Sequence, residues 1–209
     1  MKIIGIAGPS GAGKTRVAIE LARLVDGCAV LGTDQYYRDL SHVSPEGRSL
    51  TNFDSPAALD WDLLGGQLAA LRSGQPVSAP CYDFSRHVRT PDTRIIEPPR
   101  LLLLEGLFVL VKAPVRQHLD LSVFLEASEN LCLKRRIARD TAIRGRSEST
   151  VREQWERFAV PMYRIHVRPT RNTADLVLDA ARPPEKSAAK ILRTAAHRWP
   201  EYRRLYSNL

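Results

Sequence analysis

Along this chain, short runs of β-branched and leucine residues alternate with stretches whose apolar side chains recur at helical spacing. Residues 3–7 read as a buried strand, and residues 15–24 carry Val17, Ala18, Leu21, Ala22 and Leu24 on a helical stripe. Residues 29–32 predict a second strand. Ser55-Pro56 has the form of an N-cap with proline at the first helical position, opening a helix through Leu59, Leu63, Leu64, Leu68 and Leu71; Gly65-Gly66 weakens it. Residues 77–82 and 94–97 are short β-like pieces around a polar turn, which together predict a β-hairpin insert over 77–97 at one end of the sheet. Residues 101–104 and 121–125 predict interior strands. Ser128 caps a helix running to Arg144 and ended by Gly145, residues 176–178 predict the last strand, and residues 185–197 a final helix. Strands alternating with helices predict an α/β fold, a parallel five-stranded sheet flanked by helices, in a single domain over 1–209.

Composition changes this picture little. Apolar residues make up 44% and charged residues 26%, enough for a packed core. No apolar run approaches the ~20 residues of a membrane span. No cleavable signal peptide is visible ahead of the first strand, and Cys28, Cys81 and Cys132 lie far apart without metal-ligand spacing. The expectation is a cytoplasmic protein with reduced thiols and no membrane partner. The net charge of +8 comes from 25 Arg and 6 Lys against 23 acidic residues. Arginine offers a planar fork of donors that suits phosphate, and the same excess would suit a nucleic-acid face or follow from codon bias.

Candidate chemistry narrows the choice. Gly8-Pro9-Ser10-Gly11-Ala12-Gly13-Lys14-Thr15 fits G-x-x-x-x-G-K-[ST], between a predicted strand and a predicted helix. Glycines let the backbone curl so that successive N–H groups point at one phosphate at the positive end of the helix, Lys14 reaches the phosphates, and the Thr15 hydroxyl suits Mg²⁺. The loop predicts nucleotide binding through Gly8, Ser10, Gly11, Ala12, Gly13, Lys14 and Thr15. Alone it does not separate a kinase from a GTPase, a motor or a DNA-bound ATPase. Asp34 follows the second strand and Glu105 ends the leucine run, so both belong at the carboxyl ends of strands, where ligands of open parallel sheets gather. One of them accepts a proton from an attacking hydroxyl while both help to hold Mg²⁺.

Further along, Asp34-Gln35-Tyr36-Tyr37, Asn52-Phe53-Asp54-Ser55-Pro56, Pro80-Cys81-Tyr82-Asp83-Phe84 with His87 and Arg89, Leu104-Glu105-Gly106, Arg135-Arg136-Ile137-Ala138-Arg139-Asp140, and Arg144-Gly145-Arg146 with Gln154 and Pro161 occur in that order. In these pieces the chain resembles the uridine-cytidine kinases, within the wider group that includes phosphoribulokinase. The resemblance implies a P-loop kinase with a helical, arginine-rich lid over 135–160, and the 77–97 hairpin as nucleoside-binding insert. It implies transfer of the γ-phosphate of ATP (or GTP) to the 5′-hydroxyl of uridine or cytidine. In that comparison Asp34 is the catalytic acid that takes the hydroxyl proton, with Thr15 and Glu105 as the other metal-associated groups. Asp54 grips the ribose; Tyr37, Phe53 and Phe84 wall the base; Tyr82 and His87 meet its edge. Arg136, Arg146 and Gln154 line the nucleoside side, and Lys14, Arg139 and Arg144 act on the transferring phosphoryl group.

Two positions depart from the family pattern. Ile143 stands where an acidic residue usually precedes Arg-Gly-Arg, and residues 179–185 lack the usual Gly- and Asn-containing loop near the donor base, leaving ATP against GTP open. Competing functions are a kinase of the same fold acting on phosphoribulose, pantothenate or nicotinamide riboside, and a basic nucleotide-dependent nucleic-acid binder. The second rests only on net charge, so a nucleic-acid partner is not expected. A homo-oligomer stays open.

Overall fold

Successive side chains of a strand point to opposite faces of a sheet, and in the computed structural model, which describes residues 1–201, both faces are buried. The strands β1 (Lys2–Ala7), β2 (Cys28–Gly32), β5 (Leu101–Glu105), β6 (Leu121–Glu126) and β7 (Leu176–Asp179) form one parallel sheet in the order β2-β5-β1-β6-β7. β3 (Val77–Asp83) and β4 (Val88–Ile96) form a separate antiparallel hairpin. The predicted fold class therefore stands.

Two cores sandwich the sheet. Ile4, Ile6, Leu101, Leu103, Val123 and Leu125 point to one side, packed under helices α1 (Lys14–Arg23) and α8 (Pro184–Arg198). Ile3, Ala7, Leu102, Leu104 and Phe124 point to the other, against α3 (Trp61–Arg72), the hairpin and the segment around α4 (Ala113–Arg116). This is why 101–104 is an unbroken leucine run: all four are fully buried, alternately in the two cores, each contributing about 1.5–3 kcal/mol of transfer free energy. Two further short helices are α2 (Pro45–Ser49) and α7 (Val160–Met162), and after β6 come α5 (Glu129–Ile143) and α6 (Glu148–Gln154).

Several boundaries differ from expectation. Ser55 does cap a turn with Pro56 at its first position, but that turn is a 3₁₀ piece, Pro56–Ala58, that ends at the extended Leu59. Helix α3 begins only at Trp61, where the Asp60 carboxylate accepts the Leu63 N–H at 3.2 Å. A second N-cap outcompetes continuation of the first. Gly65 sits inside α3 facing α4, where a Cβ would make ordinary contact with the Pro114 carbonyl oxygen at 3.4 Å. The hairpin's polar turn is shorter than expected, residues 84–87, and its second strand starts at Val88 rather than 94, since the exposed polar residues of 89–95 are held by cross-strand pairing. The Asp83 carboxylate closes the turn by accepting from the Ser85 and Arg86 N–H groups at 2.8 and 3.0 Å. Residues 155–167, with no strong sequence signal, are helical with π-helical runs at Trp155–Ala159 and Tyr163–Val167 around α7. Pro161 lies between them and has no N–H for a regular ladder.

Candidate active site

The loop from Gly8 to Thr15 joins β1 to α1 at the carboxyl edge of the sheet. Gly11 has φ +83°, and a Cβ there would meet the Cys132 carbonyl oxygen at 2.3 Å, so glycine lets the loop lie directly on the first turns of α5. Lys14 is buried and its ammonium donates to the Gly8 and Pro9 carbonyls at 3.1 and 3.0 Å, inside the curl. Burial lowers its pKa, opposed by Glu105 and Asp34. The first turn of α1 carries no acidic side chain, so its positive end is free for an anion.

Strand register brings the acids together. Glu105 is the partner of Ile6 on one side and of Gly32 on the other, placing it between the phosphate loop and the 3₁₀ turn Thr33–Tyr36 that holds Asp34. Thr33 lies so close to Gly106 that a Cβ there would be 1.8 Å from its Oγ1, which fixes this turn against the end of β5. The Thr15 hydroxyl donates to Glu105 Oε1 at 2.9 Å. Burial raises the Glu105 pKa, with Asp34 adding to the rise and Lys14 opposing it. Thr15, Asp34 and Glu105 offer only hard oxygen donors, and among the described residues no group of three or more His, Cys, Asp or Glu could hold a metal. Such a set fits an ion that keeps most of its ligands from phosphate and water, as Mg²⁺ does.

At the other end of the cavity stands an aromatic recess. Tyr37 packs edge-on to Phe53 (5.2 Å) and tilted to Tyr82 (5.4 Å), Phe53 stacks on His87 (4.5 Å), and Tyr82 meets Phe84 (5.3 Å). The Tyr37 hydroxyl donates to the Phe53 carbonyl at 3.1 Å. His87 adopts φ +57° at the end of the hairpin turn and stands 3.3 Å from Arg146 Nη2 through Nε2. Burial, with Arg146 and Arg144 beside it, brings its pKa down to about 4. The imidazole is thus neutral at ordinary pH; Nε2 accepts from the guanidinium and Nδ1 carries the proton. Arg89, which came up with this cluster, is a staple: its guanidinium donates to the Tyr37 and Tyr36 carbonyls and to Asp60, tying the hairpin to the Asp34 segment.

Arginines from α5 and the turn that follows it span the two ends. Arg136 donates from Nη1 and Nη2 to the two oxygens of Asp54 at 3.0 Å each, a bidentate pair. Asp54 therefore enters the site with both oxygens already engaged, though each retains a lone pair for a further donor. Arg146 Nη1 donates to Gln154 Oε1 at 3.1 Å, and Arg144 lies over the Phe84 ring at 5.0 Å. Arg139, Arg144 and Arg146 all reach Asp140.

One cavity of about 550 Å³ unites these parts. Every side chain proposed from the sequence lines it, from Ser10 to Thr15 through Asp34, Glu105 and the aromatic recess to the lid arginines; Gly8 lies just behind, its carbonyl on Lys14. The sequence did not single out Asp140, the buried partner of these arginines, although five arginines within six residues of one aspartate were a usable signal. Nor did it single out Trp155, whose ring lies 6.0 Å from the Arg136 guanidinium, or Arg135, which donates to the Ala12 and Ala180 carbonyls and so ties the phosphate loop to residues 179–185. Arg182, Pro184 and Ser187 line the same end of the cavity.

The chain matches the Phosphoribulokinase / Uridine kinase family over residues 3–186. It is 38% identical over 182 residues to the uridine kinase of Klebsiella pneumoniae, covering 84% of this chain and 85% of that one. It is 40% identical over 178 residues to the uridine kinase of Deinococcus deserti, with 84% and 86% covered. Among solved structures, a possible uridine kinase from Bacillus stearothermophilus superposes with a TM-score of 0.58 at 16% identity, over 85% of this chain and 88% of that one. That likeness is one of fold.

Proposed function

Since the chain belongs to the phosphoribulokinase/uridine kinase family, we propose that it is a nucleoside kinase, transferring the γ-phosphate of ATP or GTP to the 5′-hydroxyl of uridine or cytidine. The observation that carries this is the continuity of the cavity: a phosphate loop at one end opens directly onto a recess walled by Tyr37, Phe53, Tyr82, Phe84 and His87. A flat heteroaromatic base fits such walls by stacking, whereas a sugar phosphate or pantothenate offers no ring to stack. Asp54, anchored by Arg136, lies beside the recess and supports recognition of ribose hydroxyls by a charged acceptor. Asp34 then takes the proton as the hydroxyl attacks, and Lys14, Arg139 and Arg144 stabilise charge on the transferring group. Thr15, Asp34 and Glu105 would hold Mg²⁺, which would supply further charge neutralisation at the phosphates.

In this proposal the 77–97 hairpin is the nucleoside-binding insert and 135–160 the lid of one kinase domain. The donor base lies by Arg182, Pro184 and Ser187, and whether adenine or guanine is preferred there is read by the same assay. A cytoplasmic setting agrees with Cys28, Cys81 and Cys132 being free among the described residues. No described helix is long and apolar enough to cross a membrane.

The test is phosphate transfer from ATP and from GTP to a panel of nucleosides and sugar phosphates. Uridine and cytidine should be the best acceptors, and 2′-deoxyuridine at least about fivefold poorer in kcat/KM, because the Asp54 end of the pocket loses a donor, a loss of about 1–3 kcal/mol. Turnover of a sugar phosphate with none of uridine or cytidine would overturn the proposal; equal use of uridine and 2′-deoxyuridine would remove Asp54 from it.

A further inference from the structure

Asp140 is fully buried on α5, yet four arginines of the site converge on it. The convergence is divided by oxygen. Oδ1 accepts from Arg139 Nε at 2.7 Å and lies 3.5 Å from Arg144 Nη1. Oδ2 accepts from Arg146 Nη1 at 3.3 Å and lies 3.8 Å from Arg136 Nε. The first pair belongs to the phosphoryl end of the cavity. The second belongs to the acceptor end, where Arg136 holds Asp54 and Arg146 holds Gln154 and His87. The Asp140 main-chain carbonyl also accepts the N–H groups of Arg144 and Arg146, at 3.2 Å each, and so shapes the turn that leaves the helix.

We propose that Asp140 is a positioning residue that couples the two substrates, holding the phosphoryl-side arginines through Oδ1 and the acceptor-side arginines through Oδ2. This rests on the nucleoside kinase activity proposed above. Asp54 serves only Arg136, and one buried Asp140 carboxylate cannot neutralise the other three guanidinium groups, so Arg139 and Arg144 keep a deficit of negative charge that triphosphate oxygens make good. As those oxygens draw Arg139 and Arg144 outward, the carboxylate's charge falls to Arg136 and Arg146 alone. Arg136 and Arg146 are then seated more firmly where they meet Asp54, Gln154 and His87, and the acceptor pocket stiffens. Coupling between two ligands is reciprocal, so a bound acceptor likewise strengthens the site for the donor. The charges themselves favour an ionised Asp140: burial alone would raise its pKa, but the hydrogen bond from Arg139 and the charges of Arg139, Arg144 and Arg136 lower it.

The competing account is that Asp140 merely relieves repulsion among the arginines during folding. The two separate in a binding experiment on the full chain, by calorimetric titration of uridine with and without a saturating non-hydrolysable ATP analogue and Mg²⁺. In the native chain the analogue should tighten uridine at least about fivefold, the low end of measured couplings. In Asp140→Glu, which keeps the charge but moves both oxygens out by one methylene, the ratio should drop to half the native value or less, with the melting temperature within a few degrees of native. Asp140→Asn should bring it to about one; if that variant does not fold, Asp140→Glu decides alone. An unchanged ratio in folded Asp140→Glu, or a native ratio of one, overturns the coupling role and leaves the kinase assignment intact. A native chain that binds no pyrimidine ribonucleoside overturns the assignment itself, and the coupling with it.

Discussion

Arg136→Met is the most informative single change to the acceptor end, because it removes one half of an ion pair that is deeply placed. The two N–H···O contacts to Asp54 are 3.0 Å each, and the side chains are 6% and 13% exposed. Removing one partner of a buried pair typically costs about 3–5 kcal/mol, mostly because the other charge is left uncompensated. Two features lower that figure here. Asp54 borders an open cavity, so water can reach its carboxylate, and methionine replaces much of the apolar stem of the arginine. The neighbouring Asp140 keeps Arg139, Arg144 and Arg146 and is little affected. The expected loss is therefore about 2–3 kcal/mol, measured by urea unfolding without ligand. The double variant Asp54→Leu/Arg136→Met leaves no charge behind and should recover most of that loss while remaining a poor kinase. A single variant within about 0.5 kcal/mol of native, or a double variant no more stable than the single, would refute the view that the pair is held by mutual compensation.

Asp34→Asn should lower kcat by about 10²–10⁴-fold, the usual worth of a positioned base, with triphosphate affinity kept; near-native kcat under saturating Mg²⁺ would transfer the role to Glu105. Lys14→Ala should instead weaken triphosphate binding and turnover together, and an effect on only one of them would contradict its place in the loop. Because the His87 pKa lies at about 4 against an ordinary 6.5, kcat/KM for uridine should show no inflection near pH 6.5 that His87→Gln abolishes. Stability gives the matching sign: the unfolded histidine takes its proton below pH 6.5 and the folded one only near 4. Native stability should therefore fall faster than that of His87→Gln as pH drops through that window; parallel curves would place His87 in open solvent.

What the sequence disclosed, and what it did not, follows from how far each signal reaches. The phosphate loop is contiguous, and its strand-to-helix context is local, so it was legible whole. The sheet was legible because its inner strands are buried on both faces and written as largely apolar runs, as in 101–104. The start of α3 was misplaced because two capping residues, Ser55 and Asp60, lie five apart and only packing decides which one opens the long helix. The 155–167 stretch gave no clear period because its helical turns are partly π, which shifts the apolar spacing away from 3.6. At the site, the resemblance supplied most pocket residues, but pairings between distant segments were invisible. Nothing in Asp54 announces a partner 82 residues away, and nothing in Arg89 tells a staple from a ligand contact. Asp140 is hard to tell from its sequence neighbours because it stands among arginines; the charge that organises them is the exception in the run.

The two cores on either face of the sheet have a consequence for how such a protein can change over time. The helices next to the phosphate loop, α1 and α8, draw on one of them, while α3, the hairpin and the turn holding Asp34 draw on the other. The strands serve both through alternate residues, so an altered side chain on the acceptor face leaves the packing beneath the phosphate loop untouched. A lineage can thus rebuild what is phosphorylated without disturbing what supplies the phosphate, and a designer can do the same. Residues 77–96 make a self-paired hairpin with no hydrogen-bonded strand in the main sheet. They can be exchanged for another pocket wall, provided the graft keeps the Arg89 contacts to Tyr36, Tyr37 and Asp60 that seat it.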